Sequence, residues 1–331
     1  MESTKRVSVI GSGSWATAIA KILHESQTSL GWYIREVEII DHLKKYRNNP
    51  FYLSSVQFDL NKLKISNNLN ETIENSDVLV FVVPASFIKI WMEPLNVSLE
   101  NKFIVSAIKG IVPEDDSTIA EYFNRIHNVP FDQIGIISGP SHAEEVALER
   151  LSYLTFSCKD INHAKEIATL FDSHYIKTNV GTDIYGTEYS AVLKNIYALA
   201  AGIAHGLGYG DNFLSVLISN SQREIERFLK KTYPSKRRMN TSAYLGDLLV
   251  TAYSQFSRNR TFGAMIGKGY SVKSTIMEMN MIAEGYNASK CLKEINSKYN
   301  VKMPIADAVY NILYENISPA IEMKLLTDKL K

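Results

Sequence analysis

The stretch VSVIGSGSWATAIAKIL (residues 7–23) decides the fold prediction for this chain. A short β-branched run stands directly before Gly11-x-Gly13-x-x-Ala16, and an amphipathic helical pattern follows. In such a unit the first glycine permits a tight turn, the second lets the backbone approach a pyrophosphate, and a small third residue lets helix and strand pack closely. The phosphates then meet the free N–H groups of the helix start. The stretch predicts a dinucleotide site, with a purely structural glycine turn as the alternative.

The first half of the chain alternates between strand and helix patterns. Strands are predicted at residues 6–11, 77–84, 102–110 and 133–140, with further runs at 151–158 and 174–180, and helices at 14–25 and 115–126. Because the first four runs are almost wholly apolar, they indicate parallel strands that are buried on both faces. Repeated strand–helix–strand units predict an α/β fold with a Rossmann-like, doubly wound parallel sheet.

Helical periodicity dominates after residue 184, and no convincing strand pattern follows. We therefore expect a dinucleotide-binding Rossmann domain over residues 1–184 and an all-helical, substrate-binding domain over residues 185–331. A ligand cleft between the two domains is the expected arrangement. The apolar stretch at 191–204 contains Lys194 and Asn195 and is too short to span a bilayer, so it predicts a buried helix.

The composition narrows the classes of function. The net charge is +1, with 45% hydrophobic and 21% charged residues, so no global attraction for nucleic acid or an anionic membrane is expected. The basic run at 235–240 has no interleaved aromatic residues and is interpreted as a solvated loop. Two cysteines, Cys158 and Cys291, are too few for a disulfide framework, and the start of the chain has no signal-peptide pattern. Both features predict a cytoplasmic protein.

The second strand bears on the choice of coenzyme. LGWYIREVE (residues 30–38) places Arg35 near the strand end and Glu36 just beyond it. An acidic residue at this point typically holds the ribose hydroxyls of NAD, whereas an arginine can accept the 2′-phosphate of NADP. We expect NADP(H) to be accepted at least as readily as NAD(H). The alternative is a solvated arginine at a strand end.

Two lysines are candidates for chemistry. Lys109 follows an apolar strand at the carboxyl edge where open α/β sheets bind ligands, so it could reach a bound coenzyme or substrate; a surface-loop lysine is the alternative. Lys194 has Ser190, Ala191 and Ala198 as its neighbours on one helix face. Burial among such small residues would lower the pKa of the lysine and make it a candidate proton-transfer group near neutral pH. A lysine that extends from the helix to water is the alternative.

The stretch SRNRTFGAMIGKG (residues 257–269) places two arginines, Arg258 and Arg260, in what looks like the first turn of a helix. A helix N-terminus already carries partial positive charge, so cations are disfavoured there and anions are stabilised. Either the arginines point into water or an anion binds at this point.

Several segments together resemble the bacterial type of NAD(P)-dependent glycerol-3-phosphate dehydrogenase. The matching segments are VIGSGSWATAIA, FVVPASF, SAIKG, IISGPSHAEEVA, LKNIYALAAGIAHGLGYGDN, LGDLLVTAYSQFSRNRTFG and IAEGY, which occur in family order from residue 7 to about residue 290. The resemblance implies reversible hydride transfer between the nicotinamide of NAD or NADP and C2 of sn-glycerol 3-phosphate, which gives dihydroxyacetone phosphate. It also implies a supply of glycerol 3-phosphate for phospholipid synthesis, and a homodimer.

The resemblance further implies roles for individual residues. Lys194 would be the proton acceptor, with Lys109 and Asp247 as further catalytic residues. Coenzyme-binding residues would be Gly11, Gly13, Ser14, Trp15, Arg35, Phe87, Lys109, Ala143, Arg258, Ile282 and Glu284. Substrate-binding residues would be Lys109, Gly139, Ser141, Lys194, Asp247, Ser257, Arg258 and Asn259. No metal site is implied, and the helix start at Ser257 would bind the substrate phosphate.

Some features depart from the family pattern or leave other interpretations open. His142 stands where an apolar aromatic residue is common and is interpreted as a packed neutral imidazole. Arg260 is not needed for the family role, so a structural or surface function is expected. A β-hydroxyacid dehydrogenase could use the same lysine without the anion site at 257–260. A dinucleotide sensor without catalytic activity is the alternative from another class of protein.

Overall fold

A computed structural model describes residues 5–279 and 283–331 of the chain. These residues form two compact units. One contains the described residues up to Ile108 together with Ile119–Ile184, and the other contains Lys109–Thr118 and Tyr185–Lys331. The segment Lys109–Thr118 therefore groups with the C-terminal unit rather than with the strands that precede it.

The first unit is built on one eight-stranded sheet. Its strands are β1 (Val7–Ile10), β2 (Leu30–Tyr33), β3 (Leu63–Ser66), β4 (Val78–Phe81), β5 (Phe103–Ser106), β6 (Ile134–Ser138), β7 (Ser152–Cys158) and β8 (Ile176–Gly181). The spatial order is β3-β2-β1-β4-β5-β6-β7-β8, which begins with the strand order of the Rossmann fold. All described neighbours pair in parallel except β6 and β7. The prediction of a doubly wound, mostly parallel sheet is confirmed.

Among the described residues, the helices that accompany this sheet are α1 (Ser14–Ser26), α2 (Val37–Tyr46), α3 (Leu69–Glu74), α4 (Ile88–Met92), α5 (Ile119–His127), α6 (Ala143–Ala147) and α7 (Ile161–Thr169). Strands β1, β4, β5 and β6 are buried at every position, as their apolar sequences predict. The core of the unit joins these strands to α1 and α7 through residues such as Val9, Ile19 and Ile167.

Three details differ from the sequence analysis. β3 was not predicted, because LKIS is short and only partly buried and so lacks an apolar run. β7 runs antiparallel to β6, a direction that its apolar pattern does not encode. The helix predicted at 115–126 begins instead at Ile119, because Val112 pairs with Ser117 in an isolated bridge and Asp116 has a left-handed backbone conformation.

The second unit is helical. It contains α8 (Ile184–Gly206), α9 (Asp211–Thr232), α10 (Asp247–Tyr253), α11 (Arg258–Gly267), α12 (Val272–Glu278), α13 (Glu284–Tyr299), α14 (Pro304–Tyr314) and α15 (Pro319–Thr327). No strand occurs among the described residues after Gly181. The stretch 191–204 lies within α8 and is buried throughout, as predicted. No helix in residues 5–279 or 283–331 has the length and apolar character needed to cross a membrane.

Glycines bring α8 and α11 unusually close together. Gly202 and Gly206 of α8 lie against Gly263 and Gly267 of α11. A Cβ atom at Gly202 or Gly263 would lie 2.1 or 2.2 Å from a backbone oxygen of the other helix, which is far inside van der Waals contact. Only glycine allows this approach. Glycines on both helices therefore set the distance between α8 and α11.

Candidate active site

The glycine-rich turn after β1 has the geometry of an anion-binding helix start. Gly11 has φ +137°, and a Cβ atom there would lie 2.3 Å from the carbonyl oxygen of Val82. Gly13 is the N-cap of the 13-residue helix α1 and provides no capping side chain. Apart from Gly13 and its two neighbours in the chain, no described residue has an atom within 4 Å of the position that a Cβ of Gly13 would take. Because a side chain would fill this space, the turn fits the close approach of a dinucleotide pyrophosphate.

Beyond β2, an arginine and a glutamate lie side by side. The guanidinium carbon of Arg35 lies 5.3 Å from the ring centre of Trp91, and its Nε lies 3.8 Å from Glu36 Oε1. The hydroxyl of Ser12 in the glycine-rich turn donates to Glu36 Oε2 at 2.7 Å. The carboxylate is therefore tied to the turn itself, an interaction that was not expected from the sequence. The available signal was an acidic residue just after the second strand.

The remaining predicted residues of the first unit follow the carboxyl ends of β4 and β6. Phe87 is 40% exposed and ends a short 3₁₀ turn. Gly139 has φ +116°, and a Cβ there would lie 2.3 Å from the carbonyl oxygen of Tyr153. The hydroxyl of Ser141 donates to the carbonyl of Gly139 at 3.0 Å. Ala143 is buried as the first residue of α6.

In the second unit, two lysines share one carboxylate. Lys194 Nζ donates to Asp247 Oδ1, and Lys109 Nζ lies 3.5 Å from Asp247 Oδ2. The side chains of Lys194 and Asp247 are 5% and 1% exposed, and that of Lys109 is 18% exposed. Three predicted catalytic residues from distant parts of the chain therefore form one buried charge cluster.

The surroundings of Lys194 disfavour its charged form. Burial lowers the pKa of Lys194 to about 7, while the negative charge of Asp247 acts in the opposite direction and the positive charge of Lys109 lowers the pKa further. The expectation of a desolvated lysine with a lowered pKa is confirmed. An amine whose pKa is lowered towards neutrality can both accept and donate a proton near pH 7.

A chain of amide hydrogen bonds holds this cluster in place. Asn195 Nδ2 donates to the carbonyl of Lys109 at 2.9 Å, and Asn259 Nδ2 donates to Asn195 Oδ1 at 3.0 Å. The backbone N–H of Gly285 in turn donates to Asn259 Oδ1 at 2.9 Å. These hydrogen bonds connect the Lys109 segment with α8, α11 and α13. Asn195 was not among the predicted site residues, although it directly follows Lys194 in sequence.

The start of α11 combines a cap with two arginines. Ser257 is the N-cap, and its hydroxyl accepts from the backbone N–H of Arg260 at 3.3 Å. Arg258 is partly buried as the first residue of the helix, and no acidic residue lies in the first turn. Nε of Arg260 is buried and has no hydrogen-bond partner among the described residues.

Two predicted residues and one unpredicted residue complete the site. Glu284 is the partly buried first residue of α13, whereas Ile282 lies outside the described residues. Ser190 lies one helical turn before Lys194, is 2% exposed, and its hydroxyl has no hydrogen-bond partner in the described part of the chain. The spacing of four residues places Ser190 on the same helix face as Lys194.

Comparison with known proteins assigns both halves of the chain to one family. Residues 6–164 match the family described as NAD-dependent glycerol-3-phosphate dehydrogenase N-terminus, and residues 183–324 match the corresponding C-terminus. A relative named glycerol-3-phosphate dehydrogenase [NAD(P)+] from Exiguobacterium sp. is 36% identical, over 97% of this chain and 94% of its own length. One of the same name from Bacillus subtilis is 33% identical, over 98% and 95%.

A solved structure shows the same fold. The crystal structure of glycerol-3-phosphate dehydrogenase from Coxiella burnetii superposes with a TM-score of 0.89 at 26% identity, and the match covers 98% of this chain and 99% of that one. The resemblance inferred from the sequence motifs is confirmed by these matches. This chain belongs to the NAD-dependent glycerol-3-phosphate dehydrogenase family.

Proposed function

We propose that this chain catalyses the reversible oxidation of sn-glycerol 3-phosphate to dihydroxyacetone phosphate with NAD or NADP. The observation that carries the proposal is the buried cluster of Lys194, Asp247 and Lys109, in which an amine with a pKa of about 7 lies beside a carboxylate and a second cation. Membership of the family supports the substrate and the coenzyme. When bound, the coenzyme supplies the hydride acceptor.

Lys194 would transfer the proton. In its neutral form it accepts the proton of the C2 hydroxyl as the substrate is oxidised, and in its charged form it returns a proton to the forming alkoxide in the reverse direction. Asp247 orients the amine through the hydrogen bond to Nζ and, with Lys109, sets the local charge. The shared carboxylate opposes the effect of burial, so the lysine titrates near neutral pH instead of staying neutral.

The start of α11 is the proposed site for the substrate phosphate. Arg258, the hydroxyl of Ser257 and the positive end of the helix dipole would supply positive charge and a donor for a dianion. Asn259 already holds Asn195 and Gly285, so it contributes mainly by fixing α11 against α8. Binding the phosphate away from the reacting carbon would orient C2. Gly139 and Ser141 are proposed as further substrate contacts.

The coenzyme would bind along the carboxyl edge of the sheet in the first unit. The glycine turn, with Ser14 and Trp15, would hold the pyrophosphate, and Arg35 would lie at the adenosine ribose. The further proposed coenzyme contacts are Phe87, Lys109, Ala143, Arg258, Ile282 and Glu284. A cytoplasmic homodimer that supplies glycerol 3-phosphate for phospholipid synthesis completes the proposal.

One assay tests the proposal directly. Purified protein should oxidise NADH or NADPH when given dihydroxyacetone phosphate, and it should do so far more slowly with unphosphorylated dihydroxyacetone. In the other direction, glycerol 3-phosphate should reduce the coenzyme and 3-hydroxy acids should not. If neither reduced coenzyme is consumed with the triose phosphate, or if the unphosphorylated ketone reacts equally well, the proposal is wrong.

A further inference from the structure

The second unit carries a recess that has no part in the proposed chemistry. It has a volume of about 280 Å³ and is formed by α9, the residues before α14 and the last residues of the chain. The lining residues are Asn220, Arg223, Glu224, Arg227, Lys302, Pro304, Lys329, Leu330 and Lys331. None of the predicted coenzyme, substrate or catalytic residues belongs to this set.

The lining is strongly basic. Five of its side chains are cationic and exposed, and one, Glu224, is acidic. No salt bridge joins any of the five cations to a carboxylate within residues 5–279 and 283–331. The whole chain has a net charge of only +1, so this is a local concentration of charge. Mutual repulsion among cations around one concave surface is relieved when a multiply charged anion binds there.

The acidic side chain of the lining is already committed to the fold. Glu224 is 1% exposed and accepts hydrogen bonds from the backbone N–H groups of Ile305 and Ala306, at 2.7 and 3.4 Å. The hydroxyl of Tyr197 also donates to it at 3.2 Å. Glu224 therefore caps α14, and the charge of Arg227 also acts on it.

Hydrogen bonds hold parts of the rim in place. Arg227 Nη1 donates to the carbonyl of Lys302, which ties α9 to the residues before α14 and leaves other guanidinium N–H groups for a ligand. Asn220 Nδ2 donates to the carbonyl of Lys331 at 2.9 Å, and the N–H of Lys331 donates to Asn220 Oδ1 at 3.3 Å. Three of the lining segments are therefore held together before any ligand binds, which lowers the entropic cost of binding.

We propose that this recess is a second anion site, which binds a small soluble compound with two or more phosphate groups. Arginine pairs recognise phosphate oxygens through charge-assisted, bidentate hydrogen bonds, and Arg223 and Arg227 lie one turn apart on α9. The volume is at the lower end of the range for small-molecule sites and is too small for a folded partner. A dense set of cations in a concave space favours several negative charges over one.

Calorimetric titration with inorganic pyrophosphate tests the proposal on the full chain. The variant Arg223→Gln/Arg227→Gln removes two cations from the recess. Lys230→Gln/Lys231→Gln is the matched control, because these lysines are exposed on the same helix and lie outside the recess. Wild type and control should bind pyrophosphate with similar affinity, and the arginine variant should bind at least about tenfold more weakly. Equal affinity in all three proteins would overturn the proposal.

Two further measurements distinguish anion binding in the recess from a loss of folding and from adsorption to a membrane. If the arginine variant has a lower melting temperature, Lys302→Gln/Lys329→Gln removes the same charge without breaking the bond from Arg227, and it should show the same loss of affinity. Co-sedimentation with phosphatidylglycerol vesicles distinguishes a membrane surface from a soluble ligand. Vesicle binding that depends on the arginines, without pyrophosphate binding, would contradict a soluble ligand.

Discussion

The pH dependence of substrate oxidation should move in opposite directions when the two partners of Lys194 are altered. Only the neutral amine accepts a proton, so the rate of glycerol 3-phosphate oxidation should rise with pH and level off above the pKa of Lys194, about 7. Lys109→Gln removes a like charge and should raise this pKa, because the charged form of Lys194 is no longer repelled. Asp247→Asn removes the opposite charge and should lower it.

The size of each shift follows from the contacts. Lys109 Nζ lies 3.5 Å from one oxygen of Asp247, and Lys194 donates to the other. A like charge within about 4–6 Å disfavours the charged form of a lysine and typically shifts its pKa by about 1–3 units. Lys109→Gln should therefore raise the midpoint by at least about one pH unit. Loss of an opposite charge in direct contact typically moves a pKa by about 1–3 units, so Asp247→Asn should bring the midpoint below about pH 6.

The assay is kcat/KM for glycerol 3-phosphate oxidation measured from pH 5 to 10. Every variant is given the same substrate, so ionisation of the substrate phosphate cannot move the profile between variants. Lys273→Gln, at an exposed position on α12, is the matched control and should keep the midpoint of the wild type. Both active-site variants should also lose rate, but the position of the midpoint is the diagnostic quantity. Shifts in the same direction, or no shift, would refute the assignment of Lys194 as the titrating group.

Three further predictions concern packing, coenzyme preference and stability. Gly263→Ala should lower the free energy of unfolding by about 1–3 kcal/mol in urea unfolding, because its Cβ would lie 2.2 Å from a backbone oxygen of α8. Gly210→Ala is the control and should cost less than about 1 kcal/mol, because its Cβ would have no atom within 4 Å other than those of adjacent residues. Equal losses in the two variants would contradict the close packing of α8 and α11. Glu36→Ala should raise the ratio of kcat/KM with NADPH to kcat/KM with NADH by about tenfold, because it removes a carboxylate near the proposed 2′-phosphate position. Glu38→Ala is the control and should leave this ratio unchanged. Burial raises the pKa of Glu224 from 4.5 to about 7, so the folded state holds this proton more tightly than the unfolded state does, and the free energy of unfolding should fall by about 3 kcal/mol as the pH rises from about 4.5 to 7. Glu224→Gln should abolish this part of the pH dependence of the urea midpoint. If the midpoint of the variant changes with pH as steeply as that of the wild type, another group titrates.

Much of the fold could be predicted because the relevant signals are local. The apolar runs of β1, β4, β5 and β6 show burial on both faces, and the glycine spacing after β1 indicates a turn and a helix start. By contrast, β3 has no apolar run, and the antiparallel direction of β7 depends on how the chain returns to the sheet rather than on its own residues. Local patterns identify elements more reliably than they identify pairings between elements.

The candidate site also combines features that local sequence patterns predict with contacts that they do not predict. The helical spacing around Lys194 left open whether the amine is desolvated or extends to water, whereas the cap at Ser257 could be identified from a serine before a helical pattern. The hydrogen bond from Ser12 to Glu36 could not be predicted in the same way, because it joins the side chains of two separate loops. The same holds for the amide chain through Asn195 and Asn259.

Short-range spacing and ordered motifs encode the α/β alternation, the dinucleotide turn, the helical second half and the family, so these features can be predicted from the sequence alone. The folded structure is needed to show that Lys109, Lys194 and Asp247 form one buried charge cluster, and that five separate cations surround one recess. The cause is that the energy of a charge depends on the distance to other charges and on burial. Both quantities are set by packing between segments that are far apart in the chain.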